Sequence, residues 1–310
     1  MARPSRLFAA ALTTPRPPAT PDWRTGISPP EMANPRNMRA VPDQRIDYLA
    51  AISEHTVGIA QAAAGNLERP VPGCPGWTVR ELVSHLIDVQ WFWKTIVEQR
   101  LQQPPEETAR PPKAEAALLL DQLRRGGDRL VLALKSADET EVVWTWAPGR
   151  SDVGFITRHQ AQEAAVHHWD ACEARGEQLT AAPELAADAV DEFLAFSISS
   201  DADPADPPRP PLGGSLILAC SDAPQARTLS DGLHPGTVAV QAGVKGKFPV
   251  LRATAWELLL WLYRRVELDL GEVPTGLPDR LRALCFTDRS ALSGLAFASC
   301  PSSMPPPDDH

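Results

Sequence analysis

The chain has 310 residues, 43% of them hydrophobic, enough for two domains that each bury a core. Its formal net charge of −9 argues against a general nucleic-acid binder, because phosphate contacts need clustered Lys and Arg. No apolar run approaches the length of a membrane span. The five cysteines are odd in number, widely spaced and without C-x-x-C, which argues against a disulfide framework or a Cys-rich zinc site and for a reducing, cytoplasmic setting.

Residues 1–42 are rich in Pro and Arg, lack periodicity and read as a disordered extension, with Met32 and Met38 as alternative starts to Met1. A first helix is predicted over 43–66, with Asp43 as N-cap, a core stripe of Ile46, Leu49, Ile52 and Ile59, and His55 as a surface or boundary residue. Pro70, Pro72, Gly73, Pro75 and Gly76 then turn the chain, and Thr78 with Glu81 forms a capping-box pattern for a second helix running to about Leu101. On that helix Leu82, His85, Leu86 and Val89 share a face. A third amphipathic helix covers 113–136, with a kink expected at Gly126-Gly127, and Val142–Ala147 reads as a short strand or extended lead-in.

The segment Phe155–Arg175 has no Pro or Gly and is predicted to be helical. His159, Glu163 and His167 fall at i, i+4 and i+8 on one stripe, with Asp170 on the same side. A Glu and a His one turn apart can reach a single metal ion, and the best third ligand on another helix is His85. A polar stripe on a helix is usually a solvated face, and periodicity alone does not decide whether this one points inward. A helix follows over 183–199, then a Pro-rich linker at 201–212. Beyond it, Ser215–Cys220, Thr237–Gln241 and Phe248–Leu251 read as strands, Thr254–Val266 as a helix closing on Arg264 and Arg265, and Pro278–Cys285 as a short helix.

Taken together, VPGCPGWTVRELVSHL, RHQAQEAAVHHWDA and LLLWLYRR resemble the mycothiol-dependent maleylpyruvate isomerase family over residues 43–290. The resemblance implies an α domain, a DinB-like four-helix bundle at 43–200, joined through the 201–212 linker to a small α+β domain at 213–290, with a loose tail at 291–310. It implies a divalent metal, usually zinc, on the positions matching His85, Glu163 and His167, and a functional arginine matching Arg265, with Arg264 as the neighbouring alternative. The sequence departs from the pattern at Gln162, where many relatives carry a histidine, and at His159, where an arginine is common. That extra histidine fits a partner of the ligands or an alternative ligand; His168 points roughly 100° away from His167.

The activity implied is a mycothiol-dependent isomerase or S-transferase, in which a zinc-activated thiolate attacks an electrophile or unsaturated acid whose carboxylate Arg265 binds between the two domains. The alternatives are a zinc hydrolase, although HExxH is absent, and a non-catalytic metal- or small-ligand-binding module. Expected partners are a small-molecule substrate, no nucleic acid and no membrane, for a monomer or small homo-oligomer.

Overall fold

The structure, a computed structural model, describes residues 46–147, 149–198 and 209–285. The expectations for residues 1–42, for most of the linker and for the 291–310 tail lie outside the described residues.

Four helices run from Tyr48 to Glu173, and their starts follow from polar caps. Helix α1 (Tyr48–Ala63) begins at Asp47, whose side chain accepts the Ala50 N–H; the expected cap, Asp43, is four residues too early. Helix α2 (Val79–Gln99) starts at the Thr78/Glu81 capping box and stops at Arg100, which takes a left-handed φ of 52°. Helix α3 (Ala116–Ser136) runs unbroken through Gly126-Gly127. Those glycines serve close packing: a Cβ on Gly127 would lie 2.7 Å from Thr56 Cγ2 of α1, and one on Gly126 2.3 Å from Gln90 Oε1 of α2. Val142–Ala147 is not a strand; Val142 makes a single antiparallel bridge to Asp152, the residue that caps α4 (Val153–Glu173) by accepting the Phe155 N–H at 2.7 Å.

Fifteen of the 21 residues of α4 are buried, Gln160, Gln162, His167 and Asp170 among them, so its polar stripe faces inward. On one side α4 packs along α1, which also contacts α3, while α2 lies against α3. Helix α5 (Pro183–Phe196) is fastened to α4 and α1 through Asp188, which accepts bonds from Arg158 Nε and Tyr48 Oη, both at 2.8 Å.

The C-terminal region is a four-stranded sheet with two further helices. Strands β1 (Ser215–Cys220), β2 (Ala226–Asp231), β3 (Val238–Ala242) and β4 (Val250–Ala253) lie in the order β3-β2-β1-β4. The β1–β2 and β2–β3 pairs are antiparallel and β1–β4 is parallel. Strand β2 (ARTLSD) escapes sequence detection because Arg227, Ser230 and Asp231 break the apolar alternation; its order comes from two ladders. Helix α6 (Ala255–Leu262), capped by Thr254 and Glu257, packs on α5 and on β1 and β4; α7 (Leu277–Ala283) follows. One apolar cluster is continuous from Ile52, Phe92 and Phe155 through Phe193 to Leu218 and Trp261. The described residues after Arg45 thus belong to one compact unit.

Helix α6 ends earlier than its apolar pattern suggests. Arg264 adopts φ 62°, and the N–H groups of Arg264 and Arg265 close on Trp261 O (2.9 Å) and Leu260 O (2.8 Å). This left-handed cap turns the chain so that Arg265 leaves the helix direction. Among the described residues no helix is long and apolar enough to cross a membrane.

His55 is not a surface residue: it is buried, with Nδ1 3.0 Å from His168 Nδ1. His168 reaches it past Gly58, where a Cβ would meet the imidazole at 2.1 Å. Desolvation lowers both histidines from 6.5 to about 4, with the His55 charge adding to the effect on His168. The folded state therefore binds fewer protons than the unfolded chain between those values, and stability falls as pH drops from 6.5 towards 4. Gly58→Ala is expected to destabilise by about 1–3 kcal/mol through overpacking. In a His168→Ala background the same change is expected to stabilise by about 0.5–1 kcal/mol, the usual gain of Ala over Gly in a helix. Denaturant unfolding at pH 7 and pH 5 checks both points; His168→Ala should also flatten the acid loss.

Candidate metal centre

Three side chains from two helices converge where α2 passes α4. His85 Nε2 lies 3.1 Å from Glu163 Oε1, and His167 Nε2 lies 3.4 Å from the same oxygen. The imidazoles meet edge to face at 5.3 Å, with Trp77 packed 5.1 Å from His85. The ligand-capable atoms of His85, Glu163 and His167 all lie within 4.8 Å of one another. Burial favours the neutral acid at Glu163, but the charges and hydrogen bonds of His167 and His85 outweigh it and hold its pKa well below the usual carboxylate range. The group offers two imidazole nitrogens and one anionic oxygen, a donor set suited to a divalent metal of zinc's preferences.

Behind it lies a second layer of charge. His167 Nδ1 is 2.8 Å from Asp170 Oδ2, so the imidazole donates there and turns its Nε2 towards Glu163. Asp170 is completely buried and receives Arg265 Nε at 2.7 Å and Nη2 at 2.8 Å. Burial would raise its pKa, but the Arg265 guanidinium, then His167, keep it ionised and below the usual range. The PVPGCPG turn closes over this pair. A Cβ on Gly73 would sit 2.6 Å from Asp170 Oδ1 and 3.1 Å from Arg265 Cγ, so only glycine lets the loop approach this closely.

Cys74, His167 and Asp170 form a second group with metal-capable spacing, but Cys74 is disulfide-bonded, contrary to the expectation from the cysteine spacing, and offers no thiolate. It is the poorer site. The charge of Asp170 is already balanced by Arg265, whose Nη2 also lies 3.7 Å from Cys74 Sγ, so a cation there would face a guanidinium.

Of the residues singled out from sequence, His85, Glu163 and His167 come together. Arg265 lies next to them in a role the sequence did not indicate: the guanidinium expected to take a substrate carboxylate holds one belonging to the chain itself, and its side chain is only 6% exposed. Arg264 is exposed and bonds to Arg282 O. His159 is not part of the cluster. Its Nδ1 is 2.7 Å from Glu192 Oε1 on α5, and its ring stacks on Phe155. Sequence reasoning placed Asp170 on the right face without a function; its spacing of three from His167 was the available signal. Nothing local marks Gly73 or Tyr263, whose hydroxyl accepts the Gln162 Nε2–H at 2.7 Å.

The helical region therefore presents an inward-facing His–Glu–His group of metal-binding type. Residues 48–172 match the family model of the mycothiol maleylpyruvate isomerase N-terminal domain. No curated protein and no solved structure matches the chain.

Asp170→Asn keeps the shape but removes the charge that orients His167. It is expected to lower metal affinity by about 10–100-fold in competition with a chromophoric chelator. Arg265→Ala leaves the Asp170 carboxylate buried without its cation and should cost about 3–5 kcal/mol in denaturant unfolding. Arg265→Lys should recover only part of this, because lysine cannot reproduce the two-pronged contact.

Proposed function

We propose that this protein is a metal-dependent, mycothiol-dependent enzyme that carries out cis–trans isomerisation of an unsaturated acid or transfer of the thiol to an electrophile. In this reading the α1–α4 region is a DinB-like four-helix bundle, and His85, Glu163 and His167 hold one divalent metal, zinc by preference. The observation that carries it is the meeting of His85 Nε2, Glu163 Oε1 and His167 Nε2 within the segment that matches the mycothiol maleylpyruvate isomerase domain.

His85, Glu163 and His167 would hold a divalent ion with three protein ligands, the ligand number of catalytic rather than structural zinc sites. When bound there, the metal supplies the Lewis acidity that lowers the pKa of a thiol or water to near neutrality. The chain's own residues prepare that chemistry. Glu163 brings the one carboxylate charge of the cluster that no guanidinium cancels. Asp170 fixes the His167 tautomer, and Arg265 fixes Asp170. Burial of His85 and His167, with side chains 10% and 6% exposed, limits competing water.

The organic steps belong to the thiol. When bound, the thiol would supply a nucleophile whose reversible addition to a conjugated double bond allows rotation and, on elimination of the same thiolate, gives the trans isomer with no net change in atoms. In the transfer reaction the sulfur stays on the electrophile.

Elemental analysis of purified protein should find about one zinc per chain, lost in His167→Ala and Glu163→Ala. Turnover of a panel of unsaturated acids and electrophiles should require mycothiol. Stoichiometric metal in both variants contradicts the ligand assignment, and metal without any thiol-dependent turnover favours a binding module.

A further inference from the structure

The segment after α6 touches α4 at two points. Tyr263 Oη meets Gln162, which precedes Glu163, and Arg265 grips Asp170, three residues beyond His167. The two anchor points are eight residues apart on α4, about 12 Å at 1.5 Å per residue, and they bracket Glu163 and His167. Tyr263 and Arg265 thus stand on either side of Glu163 and His167 along α4.

Arg265 is not available to a substrate. Its Nε and Nη2 bond to Asp170, and its Nη1 donates to Tyr263 O at 3.2 Å. Tyr263 is different. Its ring is held edge-on by Phe193 at 4.8 Å and lies 5.3 Å from the Arg265 guanidinium. Its oxygen accepts the Gln162 N–H, and its own proton has no acceptor among the described residues. Gln162, 3% exposed, also keeps its Oε1 without a partner. With the amide turned over, the phenol donates to Oε1 and a Gln162 N–H is left over instead, so in either orientation the pair keeps a donor without an acceptor. Buried polar groups are normally satisfied, so hydrogen-bonding capacity left over beside a metal-binding group marks where a ligand's polar atom fits. Burial, then the Glu163 and Glu192 carboxylates, push the Tyr263 phenol up, so it remains a donor at neutral pH.

We propose that the Tyr263 hydroxyl is the donor that receives a carboxylate or carbonyl oxygen of the substrate, an unsaturated acid, beside Glu163. This rests on the metal-centre reading above and adds a catalytic residue to it. A donor at that oxygen stabilises the charge that develops there when sulfur adds to the conjugated double bond. Tyr263 and Arg265 thus divide the work: the tyrosine touches substrate, while the arginine positions Asp170 and through it His167.

Tyr263→Phe tests this, since it removes one oxygen and keeps the ring against Phe193 and Arg265. On the zinc-loaded full chain, maleate, a stable cis-unsaturated dicarboxylate, is titrated by calorimetry alongside N-acetylcysteine as a simple thiol. The expected result is unchanged zinc content, unchanged thiol affinity and maleate binding weakened about tenfold or more, the loss of one charge-assisted hydrogen bond. Unchanged maleate affinity, or no maleate binding by the parent protein, overturns the proposal while leaving the metal centre standing. An equal loss of thiol and maleate affinity assigns Tyr263 a structural role and also overturns it. A parent protein that holds no zinc removes the reading beneath and the proposal with it.

Discussion

The structure depends on a carboxylate that water cannot reach. Asp170 is fully buried in α4 and is kept ionised by Arg265 from beyond α6 and by His167 from its own helix. An isolated charge there would be prohibitively costly, so the pair exists only while both regions are in contact. Gly73 gives the loop before α2 the clearance to lie on the same two side chains. One ion pair thus holds α4, that loop and the C-terminal segment in register. It also sets the orientation of a histidine in the candidate metal centre. Folding and preparation of the site are here the same event.

That arrangement explains why α4 carries its chemistry on the inside. A helix buried on most of its surface must satisfy most of its polar groups with protein partners, although Gln160 Nε2 and Gln162 Oε1 have none among the described residues. It does so one position at a time: Arg158 with Asp188, His159 with Glu192, Gln162 with Tyr263, Glu163 with His85 and His167, and Asp170 with Arg265. Glu163 stands out because its neighbours are imidazoles, which can exchange it for a metal, whereas Asp170 is committed to a guanidinium. The contrast separates the two metal-capable groups although they share His167.

Much of this was legible in the chain. The i, i+4 spacing of Glu163 and His167 and the placement of His85 on the preceding apolar face led to the cluster, because helical periodicity fixes which side chains share a face. The Thr78/Glu81 and Thr254/Glu257 caps also form as their local patterns dictate. What escaped depends on contacts distant in sequence. Strand β2 is polar and owes its order to its neighbours. Helix α6 ends where Arg264 turns left-handed, although the apolar run and the arginines after it read as continuous helix. The partner of Arg265 lies 95 residues away, so no window of sequence could assign that guanidinium to Asp170 rather than to a substrate.

The central claim is that His85, Glu163 and His167 form the metal centre while Asp170 and Arg265 stand behind it. X-ray absorption at the zinc edge of the metal-loaded protein, with no thiol added, tests it most directly. The account predicts nitrogen and oxygen scatterers at about 2.0–2.2 Å with the signature of two imidazoles, falling to one in His85→Ala. An imidazole signature unchanged in His85→Ala would place the metal away from His85 and contradict the account.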